Sequence, residues 1–279
     1  DVGNMTGRLG ADDLHDDVMH GIRQAMDETN PEAWLVAENG DFVASDLNGL
    51  GWHGAMNYQG FMRPVWNWLN RNSEIGGGFQ GLPFAMPQIS GQQLVNSMKQ
   101  FNASVPWRSV TASMVLLDSH DTARFRTVVK GDVASHLSAM SMVLTYPGVP
   151  SIFAGDEIGL EGSWGEDGRR TINWEDRSQW DHTFMAEVKK LISVRKSNDA
   201  LINGGLRWIA AEKDFILYLR ESKKQSVLVF VSRRGVNAKI DLSALGLKVS
   251  KVLYGANASG SKFAVKSKEA TQAIWEVTR

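Results

Sequence analysis

The chain has 279 residues, 43% hydrophobic and 22% charged, and its 30 Lys+Arg against 31 Asp+Glu leave a net charge of −1. That balance belongs to an ordinary globular protein, with room for one large domain or a barrel-sized domain and a smaller companion. Without basic runs the chain lacks the surface that nucleic-acid binding needs. No apolar stretch approaches the roughly 18–20 residues of a membrane-spanning helix, and the absence of cysteine excludes disulfides and thiolate metal sites.

In chain order, Leu14, Val18, Ile22 and Met26 recur every fourth residue and predict a helix, which Asn30-Pro31 closes because a residue before proline avoids the helical region. Ala33–Ala37 is a buried-strand run that ends at Glu38, and Gly54–Tyr58 is a second strand candidate. Gly76-Gly77-Gly78 reads as a loop. A third strand runs from Ala112 to Leu117 and ends in Asp118-Ser119-His120-Asp121; a fourth runs from Pro150 to Ala154 and ends in Gly155-Asp156-Glu157. Helices are expected over Val133–Thr145 and Thr183–Ser197. Alternating strands and helices are the mark of βα units around a parallel sheet.

After Gly204-Gly205 the pattern changes. Leu206–Ala211, Asp214–Glu221, Ser226–Arg233, Lys248–Tyr254 and Gln272–Val277 alternate with period two or run apolar, with short polar turns between them. This predicts a small antiparallel β-sandwich. The expected domains are therefore residues 1–204 and residues 205–279.

Glu38, Asp121 and the pair Asp156/Glu157 all follow apolar strand runs. At the C-terminal end of a strand a carboxylate can face the shared mouth where barrels of alternating strand and helix build their active sites. The alternative is that each acid caps the next helix.

Four motifs then carry a resemblance. Asp1–Arg8, Trp34–Glu38, Leu117–Phe125 and Tyr146–Pro150 with Gly155–Gly162 lie in order over residues 1–162. Together they resemble the α-amylase family, glycoside hydrolase family 13. Gly165–Arg170 with Trp174 adds a flavour of its neopullulanase/cyclomaltodextrinase-like and α-glucosidase-like members. The resemblance implies an α/β fold: the second half of a (β/α)8 TIM barrel, from the end of strand four, followed by the β-sandwich. It implies that Asp1 is the nucleophile, Glu38 the general acid and then base, and Asp121 the stabiliser of the transition state, helped by His120. A retaining mechanism needs two carboxyl groups about 5–5.5 Å apart. Asp1 and Glu38 are separated by one helix and one strand, so they should end neighbouring strands, which lie roughly 4.8 Å apart.

Asn57, Tyr58 and Arg63 are candidates for substrate contact, with packing as the competing role. Arg124 is a further candidate that could instead pair with a carboxylate. Glu157 is expected to anchor the last loop, and His53 to be an ordinary surface or hinge histidine. Of the ten tryptophans, Trp52, Trp107 and Trp164 stand in loop-like contexts, where indoles either stack on sugars or bury apolar area. Six scattered histidines give no metal-ligand spacing. The resemblance admits calcium, but no ligand set stands out.

The implied activity is a retaining hydrolase of α-glucans or maltooligosaccharides, whose partner is an oligosaccharide or polysaccharide. A transglycosylase or isomerase on the same site, or a non-catalytic sugar-binding member, are the alternatives. The family's arginine before the nucleophile and its Asn-His motif would precede Asp1, so this piece alone is expected to have little activity. Oligomeric state and compartment stay open, the cytoplasm being slightly favoured.

Overall fold

The computed structural model describes residues 3–40, 42–71 and 86–279. Asp1 and the Gly76–Gly78 loop lie outside the described residues. The chain divides into two compact units, residues 1–64, 96–116 and 148–151, and residues 65–95, 117–147 and 152–279. Helices α2 (Arg63–Leu69) and α3 (Gly91–Ser104) contribute residues to both.

The first unit opens with a short ribbon, β1 (Arg8–Leu9) against β2 (Asp12–Asp13), and then α1 (His15–Thr29). Asp16 and Asp17 in the first turn of α1 suit the positive end of its dipole. The helix stops at Asn30, extended at φ −153°, as a residue before proline should be. Its buried side chains are His15 and Met19. The stripe of Leu14, Val18 and Ile22 is exposed (55%, 36% and 41%), so the spacing marked a helix without marking its inner side.

Four short strands form the centre of this unit: β3 (Val36–Ala37), β4 (Gly54–Ala55), β5 (Met114–Val115) and β6 (Val149–Pro150). β3 pairs with β4 and β5 with β6, both parallel, and a parallel bridge from Met56 to Met114 joins the pairs into one array. The strands are shorter than the apolar runs that predicted them. Part of the reason is that a side chain takes over a ladder bond: Leu35 N donates to His53 Nδ1 at 2.9 Å, while His53 N donates to Leu35 O. Burial, with Arg23 nearby, holds the His53 imidazole below its usual pKa, which suits a ring nitrogen that accepts. Helix α4 (Trp107–Ala112) leads into β5. A Cβ on Gly54 would lie 2.3 Å from Ala112 O. Only glycine lets β4 approach this closely. Met19, Ala37, Leu47, Trp52, Ala55, Phe101 and Val110 make the core.

The second unit holds α5 (Phe125–Val128), α6 (Val133–Thr145), α7 (Gly165–Gly168), α8 (His182–Lys196) and α9 (Asp199–Asn203). Asp132 caps α6 by accepting from Ser135 N, and Asp181 caps α8 by accepting from Phe184 N. Nearly every residue of α6 is buried, because the helix packs on α8 and on the sheet beyond it. From residue 205 the chain is β: β7 (Gly205–Ala211), β8 (Phe215–Glu221), β9 (Ser226–Ser232), β10 (Val236–Asp241), β11 (Lys248–Gly255), β12 (Lys262–Ser267) and β13 (Thr271–Thr278). Five of them form an antiparallel sheet in the order β11-β13-β9-β8-β7, and β10 pairs with β12 as a separate ribbon. Leu217, Leu228, Phe230 and Trp275 from the sheet share one core with Ala238, Ile240 and Val265 from the ribbon.

Candidate active site

In the first unit the candidate residues follow β3 and β4. Glu38 comes directly after β3 and is half-buried, and its carbonyl accepts from Gly3 N at 2.9 Å. Asn57 and Tyr58 are buried, at 1% and 2% exposure. Asn57 Oδ1 accepts from Gly60 N at 2.8 Å and so caps the π-helical turn Tyr58–Met62. Asn57 and Tyr58 are thus held inside the fold, while Arg63 is exposed at the end of that turn.

In the second unit the segment Asp118–Arg124 folds as a tight turn. Ser119 N donates to Thr122 Oγ1 at 2.9 Å, Thr122 N to Ser119 O, and Asp121 N to Ser119 Oγ. Closing the turn on Ser119 and Thr122 turns the two residues between them outward: the His120 and Asp121 side chains are 48% and 23% exposed. Asp121 Oδ1 accepts from Arg169 Nη2 at 3.0 Å and lies 3.5 Å from His120 Nε2, while Arg169 Nε donates to His120 O at 2.9 Å. The loop carrying Arg169 sits flush on this turn. A Cβ on Gly165 would lie 3.0 Å from the Asp121 carbonyl carbon and oxygen, so any side chain at the start of α7 would press on the turn.

Beneath the turn lies a buried charged cluster. Arg124, 2% exposed, pairs with Asp156 through Nη1–Oδ1 at 2.8 Å, donates from Nε to Gly168 O at 2.9 Å, and lies 3.7 Å over the Phe153 ring. The predicted carboxylate pairing of Arg124 is thus present, and all these bonds are internal: it ties the Asp121 turn to the loops at 153–156 and 162–168. Asp118 Oδ2 accepts from Phe125 N at 2.6 Å. Burial pushes the Asp118 carboxyl well above the usual carboxylate range, and the neighbouring Asp156 carboxylate pushes it further. Burial also raises Asp156, against the opposing influence of Asp118 and Arg124. The pair accordingly retains a proton where exposed carboxyls would have lost theirs. Glu157 anchors its loop as expected, accepting from Gly155 N at 2.8 Å.

Residue type alone does not mark Arg169 as the partner of Asp121, nor Asp118 as a buried acid. The Gly165–Arg170 motif was the available signal, and its second glycine does the tying: Gly168 O receives Arg124. Trp52 is buried, whereas Trp107 and Trp164 are exposed at the starts of α4 and α7.

Residues 13–212 match the family model described as "Alpha amylase, catalytic domain". The chain is 30% identical over 215 residues to a cyclomaltodextrinase from Bacillus sp., covering 76% of this chain and 35% of that one. It is 31% identical over 216 residues to neopullulanase 2 from Thermoactinomyces vulgaris, covering 77% and 34%. Among solved structures, the debranching enzyme from Nostoc punctiforme superposes with a TM-score of 0.82 at 24% identity, covering 93% of this chain and 55% of that one. The chain thus spans about a third of the length of these two curated relatives. The fold is that of the α-amylase catalytic domain, TIM-barrel-like, followed by an antiparallel sheet. With the family model matching well over half of its residues, the chain belongs to the alpha-amylase family.

Proposed function

We propose that the whole protein is a retaining α-glycoside hydrolase of α-glucans or maltooligosaccharides. Asp1 is the nucleophile that forms the glycosyl-enzyme, Glu38 is the general acid and then the base for the incoming water, and Asp121, with His120, binds sugar hydroxyls in the transition state. In this reading the parallel array β3–β6 is part of the second half of a (β/α)8 barrel in residues 1–204. Residues 205–279 are a small β-sandwich domain.

The observation that carries the reading is that each of the two described acids comes after a parallel strand along the chain. Glu38 directly follows β3, and the chain that leaves β5 makes the Asp118–Arg124 turn with Asp121 facing outward. C-terminal ends of parallel barrel strands are where catalytic side chains gather. The Gly3 N to Glu38 O bond, two residues after Asp1, agrees with Asp1 serving beside Glu38. The Arg169 guanidinium suits an Asp121 that works as an anion. The relatives named above as cyclomaltodextrinase and neopullulanase support the substrate class. The two displacement steps need one carboxylate as nucleophile and one carboxyl group as acid and then base.

The test is made in the full-length protein that contains this chain. Glu38→Gln and Asp121→Asn should each lower turnover of maltooligosaccharides by about 10²–10⁴-fold, and NMR of the first product should find the α-anomer retained. Inversion, or wild-type turnover in Glu38→Gln, would overturn the assignment. The 279 residues by themselves are expected to show little turnover.

A further inference from the structure

Trp174 stands out in the second unit. It is 59% exposed, although an indole is among the costliest side chains to leave in water. It is also firmly held. Trp180 meets it edge-on, with ring centroids 5.5 Å apart and planes at 82°. Trp180 is in turn covered by the Arg177 guanidinium, 4.9 Å from its ring centroid, and Arg177 Nε donates to Trp174 O. Asn173 Oδ1 accepts from Glu175 N and Asp176 N, which fixes the backbone on either side of the indole. An exposed aromatic ring built into a rigid loop is a surface made for contact.

The ring borders an open cavity of about 490 Å³, which also meets His120, Phe153, Arg169 and Arg170. The arginines there do not make it an anion site, since each has a carboxylate partner: Arg169 with Asp121 at 3.0 Å, Arg170 with Asp167 at 2.7 Å. The cavity is charge-balanced, flanked by a flat apolar face and rimmed by N–H donors. A pyranose has the matching chemistry: a C–H face that stacks on indole and hydroxyls that accept from the rim.

The geometry points to Trp174 as a stacking platform for a glucosyl unit beyond the reacting one, so that this residue sets preference for longer α-glucan chains. The inference rests on the glycosidase reading above and names a substrate preference for that same site. A stacked sugar is held by the ring face, so phenylalanine should serve in part and alanine should not.

The experiment compares kcat/KM for maltotriose and maltoheptaose in the full-length protein, in Trp174→Ala and in Trp174→Phe. The parent should favour maltoheptaose. Trp174→Ala should lower the maltoheptaose value by about tenfold and bring the ratio of the two substrates toward one, and Trp174→Phe should recover most of the ratio. An unchanged ratio in Trp174→Ala overturns the inference while leaving the hydrolase intact. Should the parent cleave no α-glucan, the functional reading fails instead. Quenching of tryptophan fluorescence by maltoheptaose then decides the platform: loss of the quench in Trp174→Ala supports it, and equal quench in both proteins overturns it.

Discussion

Asp118→Asn tests the buried acid pair directly. Asp118 is wholly buried, accepts from Phe125 N at 2.6 Å, and faces Asp156, which claims Arg124 for itself at 2.8 Å. Its folded pKa is raised above the ordinary 3.8. The folded state therefore keeps a proton that the unfolded chain releases. Stability falls as pH rises from the unfolded value toward the folded one, by up to about 1.4 kcal/mol per pH unit for one proton. Asparagine has the same shape, can still accept from Phe125 N, and offers Asp156 an N–H where the protonated acid offers an O–H. It cannot ionise. Urea unfolding of the full-length protein at intervals from pH 4.5 to 8 should give Asp118→Asn a flatter stability profile than the parent. At pH 8 it should be at least as stable. Asp118→Ala keeps no acceptor for Phe125 N and should lose about 1–3 kcal/mol. Equal slopes in parent and Asp118→Asn would refute the shared-proton argument. So would a loss of about 3 kcal/mol at pH 8, which would mean that Asp118 is an ionised partner of Arg124.

Two further predictions concern the frame around the site. Trp275, fully buried, packs against Phe263 and Phe230 at 5.1 and 6.5 Å between centroids and donates to Ala256 O. Trp275→Ala should cost about 3–5 kcal/mol in denaturant unfolding, and a loss under 1 kcal/mol would contradict the shared sheet–ribbon core. Gly54→Ala would place a methyl 2.3 Å from backbone of Ala112. It should lower stability by about 1–3 kcal/mol, and an unchanged melting temperature would contradict the close approach of β4 to the end of α4.

Much of the frame was legible because period and breakers carry it. Val133–Thr145 and the helix beginning near Thr183 were readable as helices, and β7, β8, β9, β11 and β13 as strands, within a residue or two. The ribbon β10–β12 was not singled out, although Val236, Ala238 and Ile240 alternate with outward Asn237, Lys239 and Asp241. Asn237, Lys239 and Asp241 between single apolar residues make such a strand read as a turn-rich surface. The apolar runs around Val36, Val115 and Pro150 were readable as strands, yet their ladders are only two residues long. Ladder length depends on where the partner strand leaves, which no single run encodes. On α1 the four-residue spacing was visible but the buried residues are His15 and Met19. His15 is drawn inward by Thr6 O at 2.6 Å and Asp46 at 3.3 Å, contacts that lie outside the helix itself.

The acids after strands show what the sequence can carry and what only packing decides. Asp118 and Asp121 are three residues apart behind the same apolar run, and nothing in residue type distinguishes them. In the fold one faces down, with 2% exposure, and the other faces out, at 23%. The Ser119–Thr122 turn makes that difference by reversing the chain between them. Burial then divides the labour. A carboxyl without solvent holds its proton and serves as a hydrogen-bonding strut with Arg124 and Asp156. The one at the surface is steadied by Arg169 and, in the proposed reading, meets a sugar hydroxyl. The buried group builds the turn that presents the exposed one. Mutations of Asp118 should accordingly register in stability and pH dependence, and those of Asp121 in turnover.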